Sequence, residues 1–211
     1  MAYNTREDWL IAAVELLRPH FKKAGYEIPG VRVSCGWPVK GGLGTKKKVL
    51  GQCWSHEAAS DGKFQIFVSP TIEDTEGDDY AVLPVFIHEL CHACVGIEAK
   101  HGADFKACAT GVGLTGKMTS TVPSDELKPL MATWRSVLGA YPHVKLDPKM
   151  SPVKKQTTRM FKCECRVETC GYTVRISRKW LDDVGVPHCP KHGKMESDYI
   201  PNEGEEDGSG E

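Results

Sequence analysis

The chain lacks any long hydrophobic run. Its longest strongly apolar stretch covers residues 81–87, far short of the about 20 residues that span a bilayer, so no membrane partner is expected. It also lacks net charge. The 27 Lys+Arg and 28 Asp+Glu leave −1 at pH 7, so whole-chain charge selects no class of partner. The opening MAYNTREDW has no basic segment followed by an apolar one; no signal peptide and a cytoplasmic, nucleoid-compatible location are expected. The pattern G-x-x-x-x-G-K-[ST] is absent, so the Gly/Lys stretch 40–48 is not a nucleotide-phosphate loop. There is no internal repeat and no persuasive Cys/His/Asn order for a thiol protease. With 40% hydrophobic and 26% charged residues, wholesale disorder, collagen and coiled coil are excluded as well.

What the chain has in excess is cysteine. Nine in 211 residues is an odd number, and without an export signal cysteines clustered with histidines point to metal before disulfides. Charge is also unevenly placed. Residues 149–195 carry 11 basic and 4 acidic side chains, a balance of +7, and residues 196–211 carry 7 acidic and no basic ones. This divides the chain into a near-neutral body over 1–146, a linker over 147–158, a basic module over 159–196 and an acidic tail over 197–211. The tail has too little apolar content to order itself.

The body reads as α+β. Trp9, Leu10, Ala13, Leu16 and Leu17 recur at helical spacing behind Thr5 and Asp8, an N-cap with an acidic residue three places on. Strands are expected over 31–35, 52–55 and 64–69, the last as an edge available to an extended substrate. A buried helix follows over 81–97, with Pro84 tolerated only in its first turn. Shorter helices are expected over 103–110 and 125–138, and Gly111, Gly113 and Gly116 read as a mobile loop.

The buried helix contains His88-Glu89-Leu90-Cys91-His92, an H-E-x-x-H. Side chains at i and i+4 share a face, so both imidazoles can reach one metal ion, with Glu89 beside them to act on water rather than to ligate. Gly96 lets the chain turn back, so that His101 can supply a third ligand and leave one coordination position open. Glu98 and Asp104 compete with His101 for that place. Arg135, Tyr141 and His143 are candidate oxyanion stabilisers. Cys35, Cys53, Cys91, Cys94 and Cys108 read as small core residues.

In the basic module, Cys163, Cys165, Cys170, Cys189 and His192 lie within thirty residues. Five candidates compete for the four places of a structural zinc site. So short a segment can hardly fold on its own apolar core, so the metal would supply stability. Arg159, Lys162, Arg166, Arg175, Arg178 and Lys179, interleaved with Tyr172 and Trp180, suit single-stranded or junction DNA without sequence reading. Lys40, Lys46, Lys47 and Lys48 could form a second patch.

Together His88-Glu89-Leu90-Cys91-His92, His101-Gly102 with Phe105, and the cysteine module resemble SprT-like proteins. These are bacterial and phage relatives of the Spartan-type DNA-protein crosslink proteases. The segments SCGWP (34–38), QCWS (52–55) and 64–70 resemble a phage-type branch. The resemblance implies a minimal gluzincin-type, zincin-like peptidase domain followed by a small zinc β-ribbon. It implies one catalytic zinc held by His88, His92 and His101, with Glu89 as general base. It also implies a structural zinc, and because relatives often show C-x-x-C-G-Y it favours Cys165 with Cys170, Cys189 and His192, Cys163 being the alternative. The metzincin spacing is absent, so no Met-turn is implied at Met118. The expected activity is hydrolysis of DNA-associated or unfolded protein. The rival is a non-catalytic zinc adaptor that binds DNA and acts in transcription.

Overall fold

Thr5 starts the first helix. Its hydroxyl accepts the Asp8 N–H at 3.1 Å and donates to the Asp8 carboxylate at 2.7 Å, which satisfies an N-terminal amide that the helix itself cannot. Helix α1 (Arg6–Lys23) then buries Trp9, Leu10, Ala13, Leu17 and Phe21 completely along one face. The computed structural model describes residues 3–39, 49–74, 81–150 and 160–200. Lys40, Lys46, Lys47, Lys48 and Arg159 lie outside them. The chain divides into two units, Met1–Ser151 and Pro152–Glu211.

In the first unit, β1 (Val31–Cys35), β2 (Gly51–Trp54) and β3 (Phe64–Val68) form a sheet of order β1-β3-β2. β1 runs parallel to β3 and β2 antiparallel to it. Strand β3 turns Phe64, Ile66 and Val68 inward at the two-residue period. The expectation that this strand offers an edge is wrong. Parallel pairing with β1 on one side and antiparallel pairing with β2 on the other occupy both of its ladders. The strands that pair on one side only in this sheet, among the described residues, are β1 and β2, and β2 is the one that lies beside Glu89.

Helix α2 (Val82–Val95) packs on this sheet through Val82, Leu83, Phe86, Ile87 and Leu90. Pro84 sits in its first turn, where the missing N–H has no intrahelical partner to lose. After it come α3 (Ala103–Gly111), β4 (Leu114–Lys117), β5 (Ser120–Pro123) and α4 (Leu127–Leu138). The three glycines expected to form a mobile loop lie instead in and between regular elements. Gly111 closes α3, Gly113 (φ +91) lies in the tight connection from α3 to β4, and Gly116 (φ +85) lies within β4, paired with Thr121 of the antiparallel β5. The segment after α4 is tied down by buried Arg6, which donates to the Pro142 carbonyl at 3.0 Å and the Val144 carbonyl at 2.8 Å.

The second unit contains β6 (Met160–Glu164), β7 (Thr173–Ser177), α5 (Arg178–Val184), β8 (His188–Cys189), β9 (Gly193–Lys194) and β10 (Glu196–Ser197). Its sheets are β10-β6-β7 and the β8–β9 hairpin. Its buried core is Cys163, Leu181, Cys189 and Met195. Ser197 and Tyr199 belong to this unit, although the charge pattern assigned them to the tail. Ser197 pairs with Cys163, and the Tyr199 ring lies 4.8 Å from that of Phe161. The rest of the expected acidic tail, 201–211, and the linker stretch 151–158 lie outside the described residues. Among those described, no helix is long and apolar enough to cross a membrane.

Candidate metal centres

His88 and His92 stand one turn apart on α2. Gly96, with φ +86, ends the helix, and a short turn over Ile97–Ala99 followed by Lys100 at φ +48 brings the chain back. His101 then arrives at the same place. One nitrogen from each of the three imidazoles lies within 4.8 Å of the others, and Nε2 of His101 is 3.3 Å from Nε2 of His88. Fully buried Phe105 backs all three rings, with centroids 4.8, 4.3 and 5.0 Å from those of His88, His92 and His101. Glu98 and Asp104 are not part of this group.

The setting keeps these rings neutral. Burial, then the nearby His92 and His101, push His88 down to about 3. Burial and His101 bring His92 to about 4, and desolvation lowers His101 too. Neutral imidazoles present lone pairs, which is the form that binds a metal. Three such nitrogens converging on one point fit a divalent metal ion with an open coordination position.

Glu89 projects beside the histidines and is only 6% exposed. Burial pushes its carboxyl up to about 8, against a hydrogen bond donated by the Cys53 backbone N–H. Strand β2 comes this close because residue 51 is glycine. A Cβ there would lie 2.6 Å from Glu89 Oε1 and 2.7 Å from its Cγ. The Cys53 thiol is itself held far above its usual range by burial, then by Glu89, which disfavours the thiolate a nucleophile requires.

These groups line a cleft of about 640 Å³. Val49, Leu50, Pro84, Val85 and Ile97 form apolar wall, and Ser120 and Thr121 come from the β4–β5 hairpin. Arg135, Tyr141 and His143 do not line it. Arg135 pairs with Asp74 at 3.0 Å, and Tyr141 packs edge-on against Trp9. Two residues at the cleft went unnoticed in the sequence. Gly51 is one. The other is Thr121, 7% exposed, whose Oγ1 lies 2.9 Å from Nδ1 of His88.

The second cluster comes from two turns. Cys165 and Cys170 lie between β6 and β7, and Cys189 and His192 at the β8–β9 hairpin. Their ligand atoms lie within 4.8 Å of one another, with Cys165 Sγ 3.3 Å and Cys189 Sγ 3.7 Å from His192 Nδ1. Desolvation pushes the Cys189 thiol up. The backbone N–H groups of Lys191 and His192, with Cys165 and Cys170, outweigh this and bring it to about 7. Three thiols and an imidazole so placed fit a closed, four-coordinate metal site. Cys163, by contrast, sits fully buried in the small core and is not among the four. Its place in β6 explains this: Lys162 and Glu164 are exposed and Cys163 points inward.

No protein-family model, curated protein or solved structure matches the chain.

The basic residues are spread over the second unit. Lys162 and Arg175 are direct cross-strand partners on the exposed face of β6 and β7. Lys162 also pairs with Glu164, and Arg166 with Glu196 at 3.4 Å. The Arg178 guanidinium lies over the Tyr199 ring at 5.7 Å, and the Lys179 ammonium 5.3 Å from the centre of the Trp180 ring. Trp180 is 49% exposed.

Proposed function

We propose that the first unit is a zinc-dependent metalloendopeptidase of SprT-like type with a minimal zincin-like fold. The second is a zinc ribbon that brings it to DNA-associated protein, as in removal of DNA-protein crosslinks. The observation that carries this reading is the convergence of His88, His92 and His101 on one cleft that also receives the carboxyl of Glu89. Zinc held there would supply Lewis-acid polarisation of a carbonyl and lower the pKa of water. Glu89 accepts the proton of the attacking water and passes it to the departing amine. Its carboxyl lines the same cleft as the three imidazoles, which places it for both transfers. The half-open ladder of β2 supports recognition of an extended backbone, which favours unfolded segments over a particular sequence. The resemblance of the motifs to SprT-like proteins supports the same reading.

The second unit supports contact with DNA. Like charges placed directly opposite in a sheet disfavour folding, so the Lys162–Arg175 pair makes sense as a surface for phosphates. Exposed Trp180 and Tyr172 offer faces on which unpaired bases stack.

The test is degradation of an unfolded protein by the zinc-loaded full chain, with and without single-stranded DNA, beside Glu89→Gln. Cleavage that disappears in the variant while its zinc content stays intact establishes the peptidase, and stimulation by DNA assigns the second unit. If zinc and DNA are bound and nothing is cleaved under any condition, the adaptor reading takes its place.

A further inference from the structure

We propose that Thr121 is a positioning residue for the histidine metal site: its hydroxyl oxygen accepts the Nδ1 proton of His88 and so holds the tautomer that leaves Nε2 free to bind metal. This rests on the metallopeptidase reading. His88 carries its ligating atom on one side of the ring and meets the protein with the other. Nε2 is the nitrogen that faces His101 at 3.3 Å, and Nδ1 is the one that faces Thr121 at 2.9 Å. An imidazole that binds metal through Nε2 must carry its proton on Nδ1, and a buried N–H without an acceptor is costly. Thr121 supplies that acceptor from a strand 33 residues away in sequence. It is 7% exposed, so water does not readily replace it.

The hairpin thus does two things at once. Ser120 and Thr121 line the cleft, and Thr121 orients a ligand. His92 and His101 have no corresponding side-chain acceptor among the described hydrogen bonds, so His88 is the ring whose orientation the hairpin fixes.

The experiment is a zinc titration of the full chain against a chromophoric chelator. The phase that His88→Ala abolishes reports the histidine site, and the cysteine site titrates separately. Thr121→Val keeps the shape and removes the acceptor. It is expected to weaken the histidine phase by about 10- to 100-fold, while Thr121→Ser stays near wild type. Cobalt substituted into the histidine site should change its visible spectrum in Thr121→Val and not in Thr121→Ser. Metal-free unfolding of each variant separates packing from positioning. Equal affinity in Thr121→Val and wild type overturns the proposal. So does a loss of affinity shared by Thr121→Ser and accompanied by earlier unfolding of the metal-free protein, which would make Thr121 a packing residue. If wild type has no phase that His88→Ala removes, the metallopeptidase reading itself falls.

Discussion

Replacing Gly51 by alanine adds a single methyl group, and the structure says where it goes. The new Cβ would lie 2.6 Å from Glu89 Oε1, 2.7 Å from Glu89 Cγ and 2.9 Å from Val85 Cγ1. Carbon contacts are comfortable at about 3.5–4.0 Å, so something must move by about 1 Å. Gly51 does not have a left-handed φ, so the backbone accepts alanine and the collision alone decides the outcome. Overpacking of this kind costs about 1–3 kcal/mol, offset by about 0.4–1 kcal/mol from a stiffer unfolded chain. The larger effect falls on Glu89. A shift of about 1 Å in a catalytic group costs on the order of 100-fold in rate, or about 2.7 kcal/mol in barrier. The assay measures kcat/KM on an unfolded protein, zinc content and thermal unfolding together. Gly51→Ala should lose about two orders of magnitude in kcat/KM and keep its zinc, because the atoms nearest the new methyl belong to Glu89 and Val85 rather than to a histidine. The stability loss should shrink by about 1 kcal/mol or more in a Glu89→Ala background, where the two nearest obstacles are gone and only Val85 remains. An undiminished rate, or the same stability loss in both backgrounds, would refute the argument.

Phe105→Ala should destabilise the first unit by about 3–5 kcal/mol, because the ring is fully buried. It should also weaken zinc binding, since Phe105 backs all three imidazoles; calorimetric unfolding and zinc titration read the two effects. Removing metal by chelation should unfold the second unit, whose buried core is Cys163, Leu181, Cys189 and Met195, and leave the first unit's core protected. Amide hydrogen exchange on the metal-free protein checks this, and protection retained in both units would contradict it. Cys165→Ala should lose one equivalent of metal, whereas Cys163→Ala should keep both and only lower the unfolding temperature; mass spectrometry under native conditions distinguishes them. Trp180→Ala should weaken single-stranded DNA binding by about 1–3 kcal/mol without altering metal content, measured by fluorescence anisotropy.

Local chemistry was legible in the sequence. A helix repeats every 3.6 residues, so His88 and His92 had to share a face of α2 and Trp9, Leu10, Ala13 and Leu17 had to share one of α1. Thr5 with Asp8 marked a helix start, and Gly96 marked the turn that returns His101, since few other residues adopt its φ of +86. The paired turns around Cys170 and Cys189 announced a four-ligand cluster, because the spacing of thiols in a turn is itself short-range geometry. Tertiary pairing decided the rest. Strand order cannot be read from strand composition: the alternation in β3 fits an edge and a centre equally, and pairing makes it the centre of the sheet. Side-chain alternation chose between Cys163 and Cys165 only once β6 had a buried face. Gly51 and Thr121 carry no local signal at all: one matters for a methyl it lacks beside Glu89, the other for an oxygen it brings to His88 across 33 residues of chain. Periodicity places side chains along one element, but which element lies opposite is settled by how sheets pair and cores pack, and those contacts join residues that are strangers in the sequence.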